Sequence, residues 1–121
     1  MMFTLQKLHK EMPDKFILAE RYYSVLSVLN GFQLTEREVQ LVAFTAIRGN
    51  MSYANIREDF CRKHNTSSAT INNMISRLKK LKILIKEASK VKVAPVLVLN
   101  FDNDVVLQIT LKHGQATDII S

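Results

Sequence analysis

"SSATINNMISRLKKLKIL", residues 67–84, opens with small hydroxyl residues, passes through an Asn-Asn pair and ends with four cations among leucines and isoleucines. Successive residues stand about 100° apart around a helix axis. That spacing places Ile71, Met74, Ile75, Leu78 and Leu81 on one stripe, and Ala69, Asn72, Asn73, Ser76 and Lys80 on the opposite face, flanked by Arg77 and Lys79. The outward surface is therefore small and amide-bearing near the N-terminus and cationic near the C-terminus. A helix entering a major groove needs short hydrogen-bonding side chains at the base edges and cations beside the phosphates. A solvated core helix also tolerates outward Asn and Ser, and it favours cations in its last turn. The surrounding sequence has to weigh one use against the other.

Upstream, the helix boundaries are sharply punctuated. Thr35 and Glu38 in "TERE" form a capping-box pattern, and the apolar residues that follow, Val39, Val42, Ala43, Ala46 and Ile47, keep helical spacing up to Gly49-Asn50. Ser52 is expected to cap "YANIREDFCRKH", which ends at Asn65, and Thr66 or Ser67 to cap the next helix. Residues 65–67 are thus a tight turn between two helices, of the length a helix-turn-helix uses. An earlier helix is expected to start at Pro13-Asp14 and run to Asn30-Gly31.

Downstream, the period changes. Residues 83–87, 91–100 and 104–112 are rich in β-branched and apolar residues and read as strands, with "NFDND" as a turn before the last of them. Pro95 belongs at a bulge, a strand start or a sheet edge. The expected class is α+β: four to five helices, then a two- or three-stranded antiparallel hairpin.

Charge is regional. The chain carries a net +6, yet residues 57–92 hold ten cations against three carboxylates, a local +7, so the remainder is slightly acidic. A concentrated basic region is the electrostatic footprint of a polyanion-binding surface.

The run "LTEREVQLVAF…SYANIREDFCRKHNTSSATINNMISRLKKLKIL" resembles a winged helix-turn-helix domain of the MarR type, over roughly residues 34–112. The resemblance implies that the third helix of that unit enters the major groove and that the following hairpin is the wing. Carried over by position, Ser68, Asn72, Asn73 and Ser76 face bases, while Arg77, Lys79 and Lys80 face phosphates. The family often has Gly after this helix, where the chain turns with positive φ, and Lys82 stands there instead. Asp102 and Asp104 would meet phosphates with the wrong charge, so the loop 86–92, with Lys86, Lys90 and Lys92, is the expected DNA-side element of the wing.

No enzyme constellation emerges. His9, His64 and His113 lie far apart, Cys61 with His64 is half a metal site at most, and "DND" at 102–104 lacks the glycine and distal glutamate of a calcium loop. Three glycines supply no phosphate-cradling loop. The single cysteine fits a reducing compartment. Residues 16–29 are interrupted by Glu20 and Arg21, short of a membrane span, and the opening residues lack the form of a secretory signal. A cytoplasmic location follows as the expectation, in the host cell or within a virion if the source is viral.

Residues 16–29 are nevertheless apolar on nearly every side, which marks a helix buried on more than one face. The second cover is either another subunit or the first dozen residues folded back through Phe3, Leu5 and Leu8. The chain is read as an N-terminal helical segment, 1–33, that covers the core or dimerises, followed by a winged-helix unit, 34–121. Its expected function is non-enzymatic binding of double-stranded DNA, sequence-specific or general, as a transcription regulator acting as a homodimer and needing no cofactor. The alternative is a structural or adaptor protein that uses the same fold to contact other proteins of a viral particle or nucleoprotein assembly.

Overall fold

The computed structural model of the chain describes residues 2–113. Residues 114–121, the end of the unit expected over 34–121, lie outside the described residues. The order is α1 (Lys15–Asn30), α2 (Glu36–Arg48), α3 (Ala54–His64), α4 (Ser68–Lys80), β1 (Leu84–Glu87), β2 (Lys90–Val93) and a short 3-10 turn, Pro95–Leu97. Among the described residues the fold is α+β, with four helices and one two-stranded antiparallel sheet.

Local chemistry accounts for most boundaries. Asp14 caps α1 by accepting from the Ile17 N–H, and Gly31 ends it in the left-handed region at φ 67°. The capping box of α2 is complete: Thr35 Oγ1 accepts from the Glu38 N–H, and Glu38 Oε1 accepts from the Thr35 N–H. Asn65 closes α3 at φ 49°, and Ser67 caps α4 by accepting from the Thr70 N–H.

The cap expected from Ser52 is not made. Asn50 Oδ1 accepts from the backbone N–H groups of Ser52 and Tyr53, and Ser52 Oγ accepts instead from the Val91 N–H on β2. With the Met51 N–H donating to the Val91 carbonyl, the segment between α2 and α3 is fastened to the outer edge of the hairpin. An edge strand carries unpaired N–H and C=O groups, and these two bonds satisfy one of each.

The core centres on α2, which packs against α1, α3, α4 and β2. Leu41, Val42, Ala43, Phe44 and Thr45 are buried in succession, so this helix is enclosed on every side. Ile56 and Phe60 from α3, Ile71, Ile75 and Leu78 from α4, and Leu84 and Val93 from the hairpin complete the cluster.

Two expectations are corrected. The second cover of α1 is not the N-terminal dozen, since Phe3, Leu5 and Leu8 are 82%, 70% and 83% exposed. The segment after β2 covers it instead: Phe101 packs on Tyr22 and Tyr23, each with ring centroids 5.8 Å away, and Tyr23 Oη donates to the Leu97 carbonyl at 2.7 Å. The long strands expected over 91–100 and 104–112 are also absent. After Val93 the chain turns at Pro95, which cannot donate to a ladder, and residues 104–112 form no regular element. No helix among the described residues is long and apolar enough to cross a membrane.

Candidate nucleic-acid interface

Helix α4 divides as its sequence spacing requires. Ile71, Met74, Ile75 and Leu78 are buried, whereas Ser68, Ala69, Asn72, Asn73, Ser76, Arg77, Lys79 and Lys80 are all exposed. The short side chains line the N-terminal two turns and the lysines the last.

The ten cations of residues 57–92 have different fates. Arg77 is committed to the fold: Nη1 lies 2.6 Å from Glu38 Oε1, and Nη2 donates to the carbonyls of Phe32 and Gln33. Glu38 is buried and Arg77 half-exposed, so the pair joins α4 to the start of α2. Burial alone would push the Glu38 carboxyl up, but the Thr35 hydrogen bonds and the Arg77 guanidinium together hold it below its ordinary range. Arg62 pairs with Asp59, Lys63 lies 3.6 Å over the Phe16 ring, and Lys92 reaches Glu87 at 3.6 Å. Lys79, Lys80, Lys82 and Lys86 form no ion pair among the described residues. The unengaged charge therefore runs from the end of α4 into β1.

The wing expected as a basic loop is a tight hairpin. Glu87 pairs with Lys90 across a two-residue turn, Ala88-Ser89, in which both residues have positive φ, 51° and 66°. Lys86, Lys90 and Lys92 therefore sit on strands. Register splits them: Lys86 shares the core-facing side with Leu84, Val91 and Val93, while Lys90 and Lys92 share the other side with Ile85 and Glu87. Lys90 Nζ also lies 5.0 Å from the centre of the Tyr53 ring. Lys82 adopts the left-handed conformation that the resemblance implied at this position, at φ 62°. Among the described residues the acidic turn at Asp102 connects no two strands; it meets the start of α1, where Lys15 pairs with Asp102 at 3.2 Å.

One residue of this surface escaped the sequence reading. Arg57, in the first turn of α3, reaches across the turn between α3 and α4 to α4. Its Nη2 donates to Asn72 Oδ1 at 2.6 Å, to Ser68 Oγ at 3.1 Å and to the Ser68 carbonyl at 3.4 Å, while Nη1 reaches the Met51 carbonyl at 3.4 Å. Periodicity reports the face of a single helix, so a side chain bridging two helices leaves no signature in it.

Elsewhere, a shallow cavity of about 320 Å³ is lined by Phe16, Phe44, Arg48, Asp59, Arg62 and Lys63. Its polar groups largely satisfy one another, since Arg48 and Arg62 both hold Asp59. His64 stacks on Phe60 with centroids 4.7 Å apart; burial, with Arg37 and Lys63 nearby, holds its pKa below the ordinary histidine value. Comparison with family models, with curated proteins and with solved structures returned no match.

Proposed function

We propose that the chain is a winged helix-turn-helix protein that binds double-stranded DNA through α4, as a transcription regulator or other DNA-bound factor. The observation that carries this reading is the exposed face of α4, short polar side chains leading into a run of unengaged lysines. The order of elements supports it: a buried helix, a segment bonded to the hairpin edge, two helices joined by a tight turn, then a two-stranded hairpin. In this reading Asn72, Asn73, Ser68 and Ser76 meet base edges, and Lys79, Lys80 and Lys86 meet phosphates. Lys82, which forms no ion pair among the described residues, joins them, whereas Lys90, over the Tyr53 ring, and Lys92, paired with Glu87, are left out. Arg77 is removed from the phosphate set because Glu38 and two carbonyls hold it. A homodimer through α1 belongs to the same reading, with Val28 and Leu29 as the apolar residues that this helix leaves exposed.

Binding to a mixed-sequence duplex at several salt concentrations tests it, with K79E/K80E alongside. The expected result is affinity that falls steeply with salt and is largely lost in the variant, because each neutralised phosphate releases roughly one counterion. Unchanged affinity in K79E/K80E would mean that the phosphate-facing surface lies elsewhere.

A second reading rests on a separate observation. Two segments outside any regular element carry exposed apolar side chains, Phe3, Leu5 and Leu8 in one, Val106 (89% exposed) and Leu111 (88%) in the other. Such surfaces mark protein contacts, and they favour an adaptor in a particle or nucleoprotein assembly. Absence of DNA binding at low salt would select that reading.

A further inference from the structure

We propose that Arg57 sets the base preference of α4 by holding Asn72 and Ser68 as hydrogen-bond donors, so that the helix reads guanine. The inference rests on the DNA-binding reading and assigns it a base.

The guanidinium of Arg57 has only donors. The Asn72 atom facing it at 2.6 Å must therefore be the amide oxygen, which leaves the NH₂ group directed away from Arg57. Ser68 Oγ likewise accepts from Arg57, so its own hydrogen is available for another acceptor. Ser68 and Asn72 lie four residues apart, on one face of α4, and both are exposed. The result is a small cationic surface in which Arg57 engages one lone pair of each oxygen and the Ser68 and Asn72 hydrogens remain available.

In the major groove each base presents a different edge. Guanine shows two adjacent acceptors, N7 and O6, whereas adenine shows the N7 acceptor beside an N6 donor. A free Asn pairs bidentately with adenine because it supplies one acceptor and one donor. Asn72 turns its oxygen toward Arg57, which engages one lone pair and disfavours the acceptor half of that pairing, while the NH₂ half, which suits guanine, stays free. Phosphate oxygens are acceptors too, so the same donor set could meet the backbone. The position of Asn72 on the groove-facing side, two turns before the lysines, favours the base.

Arg57 acts here as a positioning residue, and the test has to move something that simple loss of charge would not. Selection from a random duplex pool would be carried out with the native protein, Arg57→Ala and Asn72→Ala, with thermal unfolding of each to establish that it folds. The native protein is expected to enrich guanine at a position whose enrichment disappears in N72A. In R57A that position should shift toward adenine as the amide is released. Replacing that guanine by 7-deazaguanine should weaken native binding about ten-fold, the scale of a good base contact.

Guanine retained at that position in R57A would overturn the proposal, as would adenine preferred by the native protein. Salt-sensitive binding with no base preference that depends on Asn72 would also overturn it, placing the donors on phosphates while leaving the DNA-binding reading intact. No binding at all would remove both. The side-chain amide NMR signals of Asn72 in the free protein separate the two failures. Signals that move in R57A establish the contact without DNA, and signals that do not move overturn the proposal whatever the DNA result.

Discussion

Arg77 and Arg57 carry the same charge and begin from neighbouring stretches of the same basic region, yet one stabilises the fold and the other borders the proposed interface. Glu38 explains the difference. Its carboxylate is buried, and a buried charge without a partner costs far more than an exposed one. Arg77→Ala is therefore expected to lower stability by about 1–3 kcal/mol, less than a fully buried pair because Arg77 itself is half-exposed. Urea unfolding measures it. The pH dependence has a definite sign. Since the folded-state pKa of Glu38 lies below its ordinary 4.5, its contribution is fully present above that value and is lost as pH falls through the lower, folded one. Urea midpoints at pH 7, 5 and 3 should decline across that window in the native protein and decline less in R77A. Lys82 makes a simpler case at φ 62°. Glycine carries no Cβ penalty there, so Lys82→Gly is expected to be neutral or to stabilise by up to about 1 kcal/mol, readable as a rise of a few degrees in Tm.

Among the elements, the hairpin depends most on contacts from outside itself. A two-stranded hairpin is marginal alone, and this one is held by the Val91 bonds to Met51 and Ser52 and by burial of Leu84 and Val93. Ser52→Ala leaves the Val91 N–H without its acceptor, and a loss of about 1–2 kcal/mol is expected. Hydrogen exchange at the Val91 amide should accelerate, whereas loss of a helix cap would instead speed exchange in the first turn of α3. The turn itself holds two side chains in the left-handed region where Asn-Gly is favoured. A88N/S89G is accordingly expected to raise stability by roughly 0.5–1 kcal/mol without altering DNA affinity, as read by unfolding and by duplex titration. Capping patterns made the helix starts at Asp14, Thr35 and Ser67 legible in the sequence because each depends on residues three apart. Ser52 misled for the same reason: its local pattern is that of a cap, and its acceptor was claimed by a strand 39 residues away.

For the molecule as a whole, the segment after β2 is the element that closes the core over α1. Phe101 is buried against Tyr22 and Tyr23, so Phe101→Ala is expected to cost about 3 kcal/mol and to increase the fluorescence change on quencher addition at those tyrosines. This cover also bears on assembly. With most of α1 enclosed, V28D tests the proposed dimer directly: if α1 joins two protomers, the sedimenting mass should fall toward that of one chain.

The helices, the tight turn between α3 and α4, the buried and exposed faces of α4, and the concentration of positive charge are all legible in the chain before it folds. All of these follow from contacts within one or two helical turns or from composition. What covers α1, which cations are already engaged, and how short the strands are emerge only once the elements pack together. Those outcomes depend on partners far apart in the chain: Tyr23 with Leu97, Arg77 with Glu38, Val91 with Met51. A buried carboxylate, an edge N–H or an apolar helix face demands a partner, and its own sequence neighbourhood carries no record of which distant residue supplies it.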